Sequence, residues 1–388
     1  MPTPSNSFVV TERTAADRAV DGVPTQGVPT QGVPTGTLPV QEIPEQAARR
    51  WDRVPGYLNA STLGLPPCAA VAALQEALTD WQRGQACPVA YGELAERARA
   101  QYAELVGVPT SSVAIGSQTS VLVGTVATSL PDGAEVLCPE GDFTSVTFPF
   151  EVQHRRGVRV RHVPLARLAG EIRPSTHLVA FSFAQSSTGE LADVSAVVEA
   201  AGRHGALTLC DTTQAAGWMP VDAGRFDVTV CAGYKWLCQP RGTAYLTVRP
   251  ETADHLVPNN AGWYAGESVW DSVYGPQMTL AADARRFDVS PAWLCWVGAA
   301  AAGEVFAGLD MAQVRDHDVR LADLLRDQLG LPQGGRPVVT LEDPDGVRAS
   351  RLEDAGVRFA SRAGRVRLAF HVWNTPEDVD LVVTALTR

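Results

Sequence analysis

The sequence predicts an α/β protein with a large domain on a mostly parallel sheet and a smaller α+β domain after it. Three observations carry this reading. Between about residues 112 and 248, short β-branched and apolar runs alternate with helix-period stretches, the pattern of crossover units whose helices cover both faces of a sheet. Beyond about residue 295 the order changes to helix, strand, strand, helix. The chain of 388 residues, 45% hydrophobic and 19% charged, is long enough to bury two cores.

Residues 1–45 are rich in Pro, Thr, Gly and Gln and repeat GVPTQ in tandem. They carry too little apolar surface to offset the entropy of ordering, and read as a disordered tail. Residues 46–62 are expected to pack with the small domain. Two helical segments follow, VAALQEALTDWQRG and ELAERARAQYAELVGV, each stopped by a glycine. Seven strands are then expected: SVAIG, AEVLCP, VRVRHVPL, HLVAFSF, ALTLCD, DVTVCAGY and GTAYLTV. Helices SVLVGTVATSL and VSAVVEAAGRHG lie among them, and a turn follows AEVLCP. The large domain spans 63–294 and the small one 295–388. The small domain ends in TPEDVDLVVTAL, with Thr375 as N-cap, Pro376 at the first helical position, and Glu377 and Asp378 in the first turn.

Several function classes are disfavoured. With 32 basic and 43 acidic residues the net charge is −11, which argues against nonspecific nucleic-acid binding. No apolar run approaches the ~20 residues of a spanning helix. The N-terminus lacks the basic and apolar regions of a secretory signal, so a cytoplasmic protein without membrane contact is expected. The seven cysteines show neither CxxC spacing nor nearby histidine pairs, so no metal and no disulfide framework is expected. Cys138, Cys210 and Cys231 read as small buried hydrophobes.

The chain contains one lysine, Lys235 in CAGYKWLCQPRG, against 31 arginines. Arginine supplies a positive charge on a surface but does not attack a carbonyl as a neutral amine. A lysine retained at the end of the apolar strand DVTVCAGY therefore points to Schiff-base chemistry. Such a lysine either forms an imine directly with a substrate carbonyl or holds pyridoxal phosphate (PLP). PLP requires a carboxylate against its ring nitrogen, because the protonated ring is the electron sink. Asp211, closing ALTLCD, fits, and Gln214 three residues on reaches toward the phenolic oxygen or the lysine. The phosphate needs amides and hydroxyls at a helix N-terminus. GSQTS (116–120) offers Ser117, Gln118, Thr119 and Ser120. Phe143 in GDFTSVTFPF is the candidate aromatic over the ring, with core packing as its ordinary alternative.

Together these residues resemble the class V aminotransferase family, which includes cysteine desulfurases, kynureninases, isopenicillin N epimerase-like enzymes and C–S lyases. The resemblance covers about residues 50–388 and is most specific in LTLCDTTQAAGWMPVDAGRFDVTVCAGYKWLCQPRGTAYLTV, with YLNASTLG, GSQTS, GDFTS, SFAQSSTGE and GRVRLAFHVWNTPEDVD as further matches. It implies the PLP-dependent transferase fold of type I and a homodimer with active sites at the interface. It also implies Lys235 as the cofactor lysine and catalytic base, Asp211 as the ring-nitrogen partner, and Gln214 and Gln185 beside the phenolic oxygen. Ser117, Gln118 and Thr119 would hold the phosphate, with Trp263 in AGWYAG touching it and Ser290 in RRFDVSPAW reaching the partner's cofactor. Arg367 or Arg365 would grip the substrate α-carboxylate as a bidentate guanidinium, with Asn59 alongside. Trp270, Tyr274 and Arg286 are placed on the substrate side.

Two departures bear on the reaction. Many members carry Ser three residues before the lysine and His immediately before it; here these are Ala232 and Tyr234. No cysteine follows Cys295, which disfavours a persulfide-passing desulfurase. The expected function is transamination of a small amino acid, with β-elimination, epimerisation and Cβ–Cγ cleavage as alternatives. A regulatory protein that kept the fold is the alternative from another class.

Overall fold

The computed structural model describes residues 45–362 and 364–387. The tail expected over 1–45 lies outside these residues but for Glu45. The central sheet has seven strands: β1 (Val113–Gly116), β2 (Glu135–Pro139), β3 (Arg159–Val163), β4 (Thr176–Ser182), β5 (Leu207–Asp211), β6 (Val228–Ala232) and β7 (Ala244–Val248). They lie in the order β1-β7-β6-β5-β4-β2-β3. All run parallel except β7, which is antiparallel to both its neighbours. The connection from β6 to β7, residues 233–243, holds no helix, so the strand returns beside its predecessor without a crossover.

Both faces of the sheet are buried. On β4, Leu178 and Ala180 join the core of Leu122, Val126, Val146 and Phe150, while Val179 and Phe181 pack with Val194, Val197 and Cys210 on the other side. This explains why the inner strands read as continuous apolar runs. The α-helices up to residue 307 are α1 (Glu45–Ala48), α2 (Cys68–Gln82), α3 (Pro88–Leu105), α4 (Thr119–Ser129), α5 (Thr144–Glu151), α6 (Val194–His204), α7 (Pro250–Ala253) and α8 (Trp293–Ala307). Asp193 starts α6 by accepting from the Ala196 N–H at 3.0 Å, and Gly205 ends it at φ 70°. Helix α5 stands where the sequence suggested a turn. Pro149 falls inside it, but Val146, Thr147 and Phe150 are buried, and that packing holds one short helix despite the lost N–H.

The second body carries α9 (Met311–Gln328), α10 (Val347–Asp354), α11 (Pro376–Thr387) and an antiparallel sheet β8-β10-β9 of Val338–Glu342, Arg365–Ala369 and Ala360–Arg362. The three-residue β9 carries too little pattern to be seen in the sequence. Leu58 belongs to this core: its N–H donates to the Arg358 carbonyl and its own carbonyl accepts from the Ala369 N–H, both at 2.8 Å. Among the described residues no single helix is long and apolar enough to cross a membrane.

The registers position the site. Ser182 pairs with Asp211, and Asp211 with Val230. Ala232 pairs with Ala244, which pairs in turn with Gly116. The carboxyl ends of β4, β5, β6 and β1 thus share one edge, where parallel sheets present their ligands.

Candidate active site

Lys235 sits in the turn after β6 and is 5% exposed. Three consecutive carbonyls of that turn are held. Tyr234 accepts from the Gly64 N–H at 3.0 Å, Lys235 from the Cys238 N–H at 3.1 Å, and Trp236 from His371 Nε2 at 2.9 Å. Cys238 closes the turn at φ 55°, left-handed backbone that a side chain adopts only under constraint. Lys235 Nζ lies 5.2 Å from the Phe143 ring centroid and 5.8 Å from that of Tyr234. Burial pushes the amine down to about 8, against the opposing pull of Asp211; Arg367 and Arg362 add to the depression. The amine thus becomes neutral at a lower pH than an ordinary lysine, the direction a nucleophilic lysine needs.

Asp211 closes β5, is 3% exposed, and accepts from the Thr213 N–H at 2.9 Å. Burial raises its carboxyl above the ordinary range, while Thr213 and Lys235 pull it back. Gln214 is fully engaged. Its amide nitrogen donates to the Ser61 carbonyl and to Ser186 Oγ, and its oxygen accepts from Trp236 Nε1 at 2.7 Å. It therefore ties the Asp211 turn to the lysine turn. Gln185 donates to Asp142 at 3.3 Å, and Asp142 also accepts from the Ser182 N–H at 2.8 Å and the Phe143 N–H at 2.6 Å. Asp142 thereby fixes the backbone of Phe143, and it escaped the sequence reading although it lies in the quoted GDFTS.

Gln118 precedes α4 in extended backbone and gives the helix no side-chain cap, so the first N–H groups are open to a ligand. Thr119 is buried, Ser117 half-buried and Gln118 exposed. The pairing of Gly116 with Ala244 and of Ala244 with Ala232 brings this turn beside the lysine turn.

The two arginines of β10 separate clearly. Arg365 is half-buried and paired with Glu342 at 2.6 Å. Arg367 is 2% exposed, donates to the Ser186 carbonyl and to Thr62 Oγ1, and leaves its Nε without a partner. Asn59, half-buried beside Ala369, has a buried Oδ1 without a partner, as does Ser61 at Oγ.

Trp263 lies half-buried, 5.2 Å from Trp270 in ring centroids. Tyr274 is 91% exposed, and Arg286 is engaged by Asp254 and the carbonyls of Ala282 and Asp283. Ser290 is exposed. Its segment is anchored by Asp288, which takes both nitrogens of Arg99 at 2.9 and 2.7 Å and the Ile115 N–H at 2.8 Å. An apolar hollow of about 380 Å³ between Trp81, Tyr91, Trp293 and Cys295 involves none of the residues around Lys235.

A family model, aminotransferase class-V, matches residues 58–344. The chain belongs to the class V aminotransferase family. Its relatives include an uncharacterized aminotransferase, YcbU, of Bacillus subtilis, 30% identical over 74% of this chain and 81% of its own. A kynureninase of Deinococcus radiodurans is 27% identical over 69% of each chain, and an isopenicillin N epimerase of Amycolatopsis lactamdurans 26% identical over 74% and 83%. The cysteine desulfurase CsdA of Escherichia coli shares the fold with TM-score 0.77 at 20% identity, over 88% of this chain and 97% of that one. The cystine C–S lyase C-DES does so with TM-score 0.76 at 21% identity, over 86% and 97%. This class V member accordingly has the α/β fold of type I, is an enzyme, and uses PLP. The residues present fit that cofactor: a buried amine, a buried carboxylate, an uncapped helix start, and three buried polar atoms of Asn59, Ser61 and Arg367 left without partners.

Proposed function

We propose that this class V enzyme transfers the amino group of a small amino acid to a keto acid, as a cytoplasmic homodimer. The observation that carries the reading is Lys235, buried, shifted toward neutrality and flanked by Asp211 and Arg367. When bound, PLP supplies an electron sink that acidifies the substrate Cα–H. Asp211 keeps the ring nitrogen protonated, the α4 N-terminus with Ser117, Gln118 and Thr119 holds the phosphate, and Phe143 covers the ring. Arg367, with Asn59, fixes the α-carboxylate and so aims the Cα–H at Lys235. Lys235 would be the group that takes that Cα proton and holds it for return, the proton movement that amino transfer requires.

No second base is needed, and the nearest histidine to the lysine turn, His371, is engaged at both ring nitrogens. The alternative, β-elimination, needs the same residues and differs in where the electrons leave. The dimer reading rests on Trp270, Tyr274 and Met278, exposed apolar side chains 47%, 91% and 78% accessible in one segment. Ser290, exposed in the loop that Asp288 anchors, is then available to the partner's cofactor.

The test is incubation of the PLP-loaded protein with single small L-amino acids, with and without a keto acid. Amino-group exchange that requires the keto acid supports transamination. Ammonia and a keto acid released without an acceptor mark a lyase, and a protein that gains no PLP absorption band sinks the whole reading.

A further inference from the structure

His371 lies two residues past β10, fully buried, and links three parts of the chain. Its Nδ1 faces Asp318 Oδ2 of α9 at 2.8 Å, and its Nε2 faces the Trp236 carbonyl at 2.9 Å. A carbonyl carries no hydrogen, so Nε2 must hold one and donate it. The second hydrogen lies between Nδ1 and Asp318, whichever atom it rides on. The ring is wedged against Trp236, Trp373 and Phe306, with centroids 5.3, 4.9 and 6.2 Å away. Its backbone N–H donates to Asn374 Oδ1 at 2.8 Å, so it cannot drift. His317 on α9 and Cys238 on the lysine turn also lie in electrostatic reach of this pair.

The carbonyl it holds is that of the residue after Lys235. From the opposite side Gly217, at φ 105°, leaves room for the same oxygen: a Cβ there would stand 2.5 Å from it. The Trp236 peptide is therefore oriented on one side by a missing side chain and on the other by a hydrogen bond from the second body. We propose that His371, oriented by Asp318, is a positioning residue for Lys235: by holding the Trp236 carbonyl it pins the residue that follows the lysine, and with it the turn from which the lysine side chain is aimed at the reacting carbon. The proposal rests on Lys235 being the reacting amine, and it makes the small domain part of the lysine's support.

Gln at 371 places its amide nitrogen near the position of Nε2, Asn near that of Nδ1, and Phe fills the ring volume without a donor. The variants to compare are His371→Asn, His371→Phe, and His371→Gln combined with Asp318→Asn, which avoids leaving a buried carboxylate unpaired. Two readouts are taken beside thermal unfolding: amide exchange across residues 233–240, which needs no cofactor or activity, and the pH midpoint of the cofactor absorption band in the loaded enzyme. In the Asn and Phe variants, exchange should quicken about tenfold or more. The band midpoint should move by more than half a pH unit, with kcat falling about tenfold and KM little changed. The Gln pair should restore both readouts toward the parent. Unchanged exchange in folded Asn or Phe variants overturns the proposal, as does equal behaviour of Asn and the Gln pair. A parent protein without any cofactor band would sink the PLP reading and leave the exchange comparison to judge this one.

Discussion

Gly64 and Lys235 approach so closely that a Cβ on Gly64 would stand 2.0 Å from the Lys235 carbonyl oxygen and 2.9 Å from Cys238 Sγ. The nearest of these is backbone, which cannot give way as a flexible side-chain tip would. Gly64→Ala should therefore displace the lysine turn and break the Gly64 N–H bond to Tyr234. The expected loss is about 1–3 kcal/mol of stability, read by denaturant unfolding, with a shifted cofactor band as the local signature.

The depressed lysine makes reloading of the apoprotein pH-dependent. Below about 8 the Lys235 amine is mostly protonated and cannot attack the cofactor aldehyde. The rate of PLP uptake should fall about tenfold per pH unit below that point and level off above it. The folded state also binds fewer protons here than the unfolded chain between about 8 and 10.5, so apoprotein stability gains from this site as pH rises through that window. Lys235→Met should abolish both effects.

Arg367 and Arg365 should respond in opposite ways. Arg367→Lys removes a buried planar fork that Lys cannot reproduce, and kcat/KM for the amino donor should fall about 10- to 100-fold, mainly through KM. Arg365→Ala loses an exposed ion pair with Glu342 and should change kcat/KM less than about twofold. Equal losses would reassign the carboxylate grip.

Asp211→Asn should leave the cofactor attached to Lys235 and remove the charge that keeps its ring nitrogen protonated. A carboxylate partner is worth roughly 1–3 pKa units, so kcat should drop on the order of 100-fold while the absorption band persists. A fully active Asp211→Asn would remove Asp211 from the chemistry.

Arg99→Ala tests the anchor under Ser290. It leaves Asp288 buried without a cation and should cost about 3–5 kcal/mol, read as a lowered unfolding midpoint. Arg99 itself is held firmly protonated by Asp288 and Glu96 despite its burial.

Much of this was legible in the chain. Lone Lys235, the strand-end Asp211 and the GSQTS turn declare themselves by residue type and position, and the strand registers set all three along one edge. Choosing between Arg365 and Arg367 was beyond the pattern, because both point to one face and the choice depends on Glu342, Ser186 and Thr62, which lie far away in sequence. Asp142, His371 and Asp318 act through contacts spanning 40, 135 and 53 positions, which no local period encodes. Helix α5 was hidden by Pro149, a strong local breaker that tertiary packing overrode.

The segment around residues 57–64 docks at two distant points of the chain: Leu58 and Asn59 pair with Ala369, while Gly64 closes on the lysine turn. On the ribosome, this early stretch waits for partners made more than three hundred residues later. The lysine pocket is thus among the last parts of the fold to close, and a nascent chain arrested before β10 lacks the strand on which Leu58 and Asn59 dock.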